Sequence, residues 1–145
     1  DTAAGQHRRL GYAAALAAAG LPLDEALIAP GNFEAEMAYQ ATLALLPHQP
    51  DAIFAASDSM ALAALRALAE VGVAAPDEVA LVGFDDLAAA ATAVPPLTTV
   101  RQPIRRLGTL AVETLLALLE EPEAGPRQVV LPTELIIRRS CGASL

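Results

Sequence analysis

A short apolar run ends in two carboxylates at residues 79–86, which read VALVGFDD. Residues 52–58, AIFAASD, show a similar arrangement, because a second apolar run there is followed by an aspartate. The run at 52–56 is too short and too apolar for a surface helix, and a longer segment with helical spacing follows it. This alternation of short apolar runs with longer amphipathic segments is typical of βα units around a parallel sheet.

The alternation extends along the whole chain and predicts an α/β fold with a doubly wound parallel sheet, formed as one domain over residues 1–145. Helices are predicted over residues 4–19, 34–46, from Ser57 or Asp58 to Gly72, and 103–120. Strands are predicted over residues 26–29, 52–56, 79–83 and 97–100, and residues 129–137 are predicted to supply one or two final strand segments. The acidic stretch of residues 120–126, which contains Gly and Pro, predicts a solvent-exposed loop.

Composition argues against several classes of protein. The 145 residues have a formal net charge of −8, whereas a free-standing nucleic-acid binder needs a basic face for phosphate contacts. The single cysteine and the two histidines, His7 and His48, have no partners at metal-ligand spacing, so no metal or other cofactor is expected. No apolar run reaches the roughly 18–20 residues that a membrane span requires. The chain begins without Met or a signal-peptide core, which indicates a piece of a longer protein.

Polar and aromatic side chains follow the predicted strands at one edge of the sheet. Asp58 follows the strand at 52–56, Asp85 follows the strand at 79–83, and Phe33 follows the strand at 26–29. In open parallel sheets, ligands bind beyond the carboxyl ends of the strands. Carboxylates accept hydrogen bonds from hydroxyl groups, an aromatic ring covers an apolar ring face, and Arg8 would add a fork of donors. The set suits a small polyhydroxyl ligand.

Each of these residues also has a structural explanation. Asp58 is suited to cap the helix that follows it, and Asp85 with its acidic neighbour is typical of a solvated turn. Phe33 suits a core position or a hydrophobic staple, and Arg8 suits a solvated helix face. Their convergence on one edge of the sheet favours a binding site over four unrelated structural roles.

An enzyme is a further class of function that the sequence allows. Asp58 and Asp85 could act as an acid–base pair. However, no nucleophile with a matching base is apparent, and Gly83 is not part of a G-x-G-x-x-G phosphate loop. We therefore expect a binding module rather than an enzyme.

Seven motifs, taken in their order and spacing, are together highly specific. They are RRLGY (8–12), GNF (31–33), PDAIFAASDSMA (50–61), GVAAPDEV (72–79), VGFDD (82–86), PPLTTVRQP (95–103) and LPTELIIRRS (131–140). In this combination the chain resembles the carboxyl-terminal part of LacI/GalR-family transcriptional regulators, whose effector-binding core has a type I periplasmic-binding-protein-like fold.

The resemblance implies a ligand-sensing module. In the family, two lobes close over a sugar, a nucleobase or a similar small metabolite, and closure changes the affinity for operator DNA. Arg8 matches the family's ligand-clamping arginine, and Phe33 matches the aromatic residue that stacks on the ligand ring. Asp85 matches the carboxylate that binds the effector, and Asp58 matches a polar position in the cleft.

The resemblance also implies which parts of the regulator this chain contains. It corresponds mainly to the second lobe, together with the helix at 103–120, which in the family packs on the first lobe. Operator DNA would be contacted only through an amino-terminal helix-turn-helix domain, in a cytoplasmic protein without membrane association. Without the first lobe, an apolar face of that helix would be exposed, and this predicts a homodimer that buries the face. The face comprises Ile104, Leu107, Leu115 and Leu118.

The alternative function is that of a secreted sugar-binding protein that serves an importer, because such proteins use the same fold. The segments PPLTTV and LPTELIIRRS look typical of regulators and favour the first interpretation.

Overall fold

The computed structural model describes residues 2–121, 123, 125 and 128–143. In this part of the chain, a four-stranded sheet has the order β1-β2-β3-β4. The strands are β1 (Ala52–Phe54), β2 (Ala80–Asp85), β3 (Thr98–Arg101) and β4 (Glu134–Ile136). The first three strands are parallel, and β4 pairs antiparallel with β3. The parallel-dominated α/β sheet predicted from the sequence is confirmed.

Five α-helices accompany the strands in the described residues. They are α1 (Ala3–Ala18), α2 (Ala35–Leu45), α3 (Asp58–Glu70), α4 (Ala88–Thr92) and α5 (Ile104–Glu120). Ser57, not Asp58, caps α3, because the Ser57 hydroxyl accepts a hydrogen bond from the Met60 N–H at 3.3 Å. None of the described helices has the length and apolar character needed to cross a membrane.

The hydrophobic core lies between α3 and the sheet. The sheet side of this core consists of Ile53 on β1, Leu81 on β2 and Leu97 just before β3. They pack with the buried face of α3, which is rich in alanine and includes Leu65 and Leu68. Small side chains on α3 allow the helix to approach the sheet closely.

This close approach explains why β2 contains a glycine. A Cβ atom at Gly83 would overlap Asp58 Oδ1, and it would lie 3.1 Å from Leu97 Cδ2 and 3.2 Å from Ala61 Cβ. Since these neighbours are themselves buried, they have little room to move. Only a hydrogen atom fits at this position of β2.

The strand predicted at Ala26–Ala29 does not form. A 3₁₀ turn covers Glu25–Leu27, and the Asp24 carboxylate accepts a hydrogen bond from the Ala26 N–H at 2.9 Å. Ile28 has extended backbone angles but pairs with no strand in the described part of the chain. The prediction was wrong because local hydrogen bonds satisfy this backbone and no neighbouring strand is present to form a ladder.

Other strand boundaries also shift. At the carboxyl-terminal end, of the one or two strand segments predicted within residues 129–137 only β4 forms, and Val130 is 81% exposed. In contrast, β2 extends two residues further than predicted, so that Asp85 is its last residue. Of the loop predicted at residues 120–126, Pro122, Ala124 and Pro126 lie outside the described residues.

Two helices contribute nothing to the core. α1 and α5 contain no buried residue among those described. Exposed apolar side chains on α5 include Ile104, Leu107, Leu115 and Leu119, with 49–69% of their surface accessible, whereas Leu118 is half-buried. The apolar surface of α5 is therefore broad and uncovered in this chain.

We expect Gly83→Ala to lower the free energy of unfolding by about 2–3 kcal/mol, because the added methyl group overpacks the contact with Asp58. Urea denaturation followed by circular dichroism measures this effect. Gly108→Ala is the matched control, since nothing lies within 4 Å of a Cβ built on Gly108 in α5. It should be neutral or stabilise by up to about 1 kcal/mol, because glycine weakens a helix. Equal effects of the two substitutions would contradict the close approach of β2 to α3.

Candidate ligand-binding site

Arg8 lies between two aromatic rings at the edge where the parallel strands end. Its guanidinium carbon is 3.9 Å from the ring centroid of Phe84 on β2 and 5.7 Å from that of Phe33. Both distances are in the range of cation–π contacts. The Arg8 Nε is buried and has no hydrogen-bond partner among the described residues. A buried donor without an acceptor costs free energy, so the contacts with the two rings are what hold the Arg8 side chain at this edge.

Phe33 is held in an unusual backbone conformation beside Arg8. Both Asn32 and Phe33 have positive φ angles, 47° and 59°, which residues other than glycine rarely adopt. The ring lies against the start of α1, since a Cβ on Gly5 would be 3.7 Å from Phe33 Cε2. The Phe33 side chain nevertheless remains 38% exposed. Part of the ring is thus free to cover a flat ligand.

Asp85 ends β2 directly after Phe84. Its φ angle is 121°, and its half-buried carboxylate accepts a hydrogen bond from Gln102 Nε2 at 2.6 Å. The strand therefore presents an aromatic ring and a carboxylate in succession at the same edge. Arg8 contacts the ring, and Gln102 contacts the carboxylate.

Asp58 is placed differently from the other three predicted site residues. Its side chain is fully buried, Oδ1 accepts a hydrogen bond from Thr99 Oγ1 at 2.6 Å, and Oδ2 accepts one from the Leu87 N–H at 2.7 Å. These bonds join α3 to β3 and to the loop after β2. The geometry thus corrects the predicted ligand contact, because a carboxylate that is inaccessible and bonded through both oxygens holds the fold together instead.

Asp86 forms a second structural cluster next to Asp85. Its two oxygens pair with Arg138 Nη2 and Arg101 Nε, each at 2.6 Å. Burial alone would raise the pKa of the Asp86 carboxyl, but hydrogen bonds from Arg138 and Arg101 and the charges of both arginines outweigh it and lower the pKa. Arg138 also donates to the Leu97 carbonyl at 2.8 Å. Asp86 therefore fixes the end of β3 and the segment after β4.

Ser140 explains part of the motif at the carboxyl-terminal end. It is fully buried, its hydroxyl donates to the Leu81 carbonyl at 2.6 Å, and it accepts a hydrogen bond from the Thr98 N–H at 2.8 Å. One side chain thus bridges β2 and β3. The function of this motif in the described chain is structural.

The structure places Arg8 beside Phe33 and brings both to the end of β2, where Asp85 lies, and it adds Phe84 and Gln102, which the sequence analysis did not select. Phe84 stands between the strand glycine and Asp85, so the strand-end argument applies to it equally. Gln102 directly follows β3, and the same argument would have included it. The omission came from reading these two residues only as parts of longer motifs.

Two depressions of the surface lie away from this edge. They have volumes of about 320 and 490 Å³, lie around Ala75, Val94 and Pro95, and include none of the predicted site residues. Among the described residues, no three His, Cys, Asp or Glu side chains are grouped so as to hold a metal ion. The chemistry available at the edge is therefore hydrogen bonding, charge and aromatic stacking.

Comparison with known proteins identifies a family for almost the whole chain. Residues 1–141 match the family described as the periplasmic binding protein-like domain. The HTH-type transcriptional regulator CelR of Thermobifida fusca is 42% identical over 142 residues, which are 97% of this chain and 42% of the relative. The probable HTH-type transcriptional repressor ExuR of Bacillus subtilis is 33% identical over 93% of this chain and 41% of its own length. The chain thus spans about two fifths of these relatives.

A solved structure is similar over almost the whole chain. It is described as a complex of the transcriptional regulator CelR with cellobiose, and it superposes with a TM-score of 0.93 at 41% sequence identity. The match covers 97% of this chain and 43% of that structure.

The two ion pairs of Asp86 predict a stability difference that depends on pH. Asp86→Asn should lower the free energy of unfolding at pH 7 by about 2 kcal/mol, because the amide cannot accept hydrogen bonds at both positions from two arginines. The folded pKa of Asp86 lies below the ordinary value of 3.8. The stabilisation is therefore complete above that value and is lost as the pH falls through the folded pKa. Urea denaturation at pH 7, 5, 4 and 3 measures it.

A matched control is available in Glu25. It pairs with Arg9 at 2.7 Å, but both side chains are more than half exposed. Glu25→Gln should change the free energy of unfolding by less than about 1 kcal/mol. If Asp86→Asn had an equally small effect, or if its effect persisted unchanged at pH 3, the structural role of Asp86 would be contradicted.

Proposed function

Because this chain belongs to the periplasmic binding protein-like domain family, in the form found in LacI-type transcriptional regulators, we propose that it is the main part of a regulator's effector-binding domain. It corresponds to the second lobe plus the crossover helix α5. Arg8 carries the proposal, since its guanidinium lies over the rings of Phe33 and Phe84 at the end of β2, and its Nε has no hydrogen-bond partner in the described chain. The outer nitrogens of the guanidinium would donate to a bound ligand.

The proposed ligand is a small sugar. A pyranose has an apolar face that would stack on Phe33, and hydroxyl groups that would donate to Asp85 and accept from Arg8. A planar nucleobase would satisfy the same three residues and is the second ligand class. Asp58 is proposed as a positioning residue and not as a ligand contact. Since the related regulator CelR is described as a complex with cellobiose, cellobiose is the first compound to test.

The regulatory mechanism that we propose is a population shift. A ligand that binds the closed, two-lobed form more tightly than the open form favours closure by the difference in binding free energy. Operator DNA would be bound by an amino-terminal helix-turn-helix domain of the complete protein, in the cytoplasm. The net charge of −8 supports this division, because phosphate contacts require a surface rich in basic side chains.

Named relatives favour a regulator over the binding protein of an importer, and over an enzyme. The relatives that match most of this chain are transcriptional regulators and repressors. An electrophoretic mobility shift of the gene's own promoter by the complete gene product, altered by cellobiose or another bound sugar, tests the proposal. A signal peptide upstream of the first lobe, with no promoter binding, would instead identify a secreted sugar-binding protein.

Asp85→Ala should weaken ligand binding at least tenfold in the complete gene product, because a hydrogen bond to a charged group is worth about 1.5–3 kcal/mol. Isothermal titration calorimetry with cellobiose, and then with ribose and guanine, measures the loss. Asp51→Ala is the matched control, since Asp51 is an exposed aspartate. Unchanged affinity in the Asp85 variant would remove this residue from the site.

We further propose that this chain, produced alone, forms a homodimer through α5. The helix exposes Ile104, Leu107 and Leu115, and uncovered apolar patches of this kind tend to associate. Light scattering at high protein concentration should give twice the monomer mass, and Leu107→Glu with Leu115→Glu should return the monomer. A monomeric wild-type chain would refute this proposal.

A further inference from the structure

The end of β2 holds two consecutive residues in backbone conformations that L-residues avoid. Asp85 has a φ angle of 121° and Asp86 one of 59°. Such residues cost free energy and persist only where surrounding contacts fix them. Here the contacts come from residues that are distant in sequence, and two of these residues are neighbours of each other.

Those neighbours, Arg101 and Gln102, connect β3 to α5. Arg101 Nε donates to Asp86 Oδ2 at 2.6 Å, and Gln102 Nε2 donates to Asp85 Oδ1 at 2.6 Å. After Pro103 the helix begins, with the Leu107 N–H bonded to the Pro103 carbonyl at 2.9 Å. Because α5 has no buried residue in the described chain, residues 101–103 are the part of this chain that fixes the start of the helix, at the end opposite to the surface that the first lobe would cover.

The two carboxylates hold the connector with unequal strength. Asp86 is 11% exposed and is also paired with Arg138, so its bond to Arg101 belongs to a charged network. Asp85 is held by a neutral amide, and its carboxylate lies at the proposed ligand edge. A hydrogen bond from a neutral donor is weaker than one from a charged donor. Of the two hydrogen bonds, Arg101–Asp86 and Gln102–Asp85, the second is the one that a ligand can replace.

We infer that Gln102 is a positioning residue that a ligand displaces from Asp85. A ligand hydroxyl or ring N–H that donates to Asp85 takes the place of the Gln102 amide. The ion pair between Asp86 and Arg101 stays in place. The residue that follows β3 then loses its side-chain bond to β2, whereas Arg101 remains paired with Asp85 in the strand ladder and bonded to Asp86 through its side chain. This inference rests on the proposed function, since it assigns to the same site the step that transmits ligand binding to α5.

The experiment compares Gln102→Ala with Gln40→Ala in the complete gene product. Gln40 is the matched control, because its amide bonds to the exposed Glu36 at 3.2 Å on α2. Without ligand, Gln102→Ala should increase amide hydrogen exchange of residues 104–110 severalfold, whereas Gln40→Ala should leave it unchanged. Gln102→Glu, which places a second carboxylate beside Asp85, should increase exchange in the same region.

Ligand affinity provides the second measurement. With cellobiose as the probe, Gln102→Ala should bind about fivefold more tightly than wild type, because the ligand no longer competes with an internal hydrogen bond. Cellobiose should also raise exchange of residues 104–110 in the wild type but not in Gln102→Ala. Weaker cellobiose binding by Gln102→Ala would identify Gln102 as a direct ligand contact and overturn the inference.

The two proposals fail in different ways. If the wild type bound neither cellobiose, ribose nor guanine, the proposed function would be wrong and no ligand would displace Gln102, whatever the exchange data showed. If a sugar bound and Asp85→Ala abolished that binding, but Gln102→Ala left exchange of residues 104–110 unchanged, the inference alone would be overturned. Thermal unfolding of each variant by circular dichroism confirms that the proteins compared are folded.

Discussion

The burial of the Asp58 carboxylate is the constraint on which the ligand-facing edge depends. A carboxylate removed from water opposes folding unless hydrogen bonds satisfy its oxygens. Thr99 and the Leu87 N–H provide these bonds, and they fix β3 and the loop after β2 relative to α3. Gly83 lacks a side chain for the same reason, since a Cβ there would occupy the space of an Asp58 oxygen. The residues between Gly83 and Leu87 must therefore turn within a very short segment.

That short segment explains the strained backbone at Asp85 and Asp86 and the different roles of their two carboxylates. Asp85 and Asp86 both have positive φ angles, at a cost of about 1–3 kcal/mol each. The ion pairs of Asp86 with Arg101 and Arg138 offset this cost, and they bury most of its charge. Asp86 is thereby committed to structure. Asp85, bonded only to a neutral amide among the contacts described above, is the member of the pair that is available for another partner.

Local sequence pattern determined much of the fold but not the roles of individual acidic residues. Short apolar runs located β1, β2 and β3, and strand-end topology located Arg8, Phe33 and Asp85 together. It did not distinguish Asp58 from Asp85, since both follow a strand. The difference arises from contacts 41 residues apart in one case and 17 in the other, which no periodicity encodes. The strand expected at Ala26–Ala29 failed for a related reason, because a strand needs a partner as well as a suitable sequence.

The proposed site and the uncovered apolar surface of α5 are joined by the short segment of residues 101–103. Coupling between two sites requires an element with two arrangements that both sites influence. The proposal assigns this part to α5, which has 17 residues and no buried side chain in the described chain and follows directly on the residues bonded to Asp85 and Asp86. At 1.5 Å per residue such a helix is about 25 Å long, so a tilt of ~10° at the connector moves its far end by about 4 Å. Exchange of one hydrogen bond at Asp85 is thereby sufficient in scale to move a surface that another lobe or a second copy would contact.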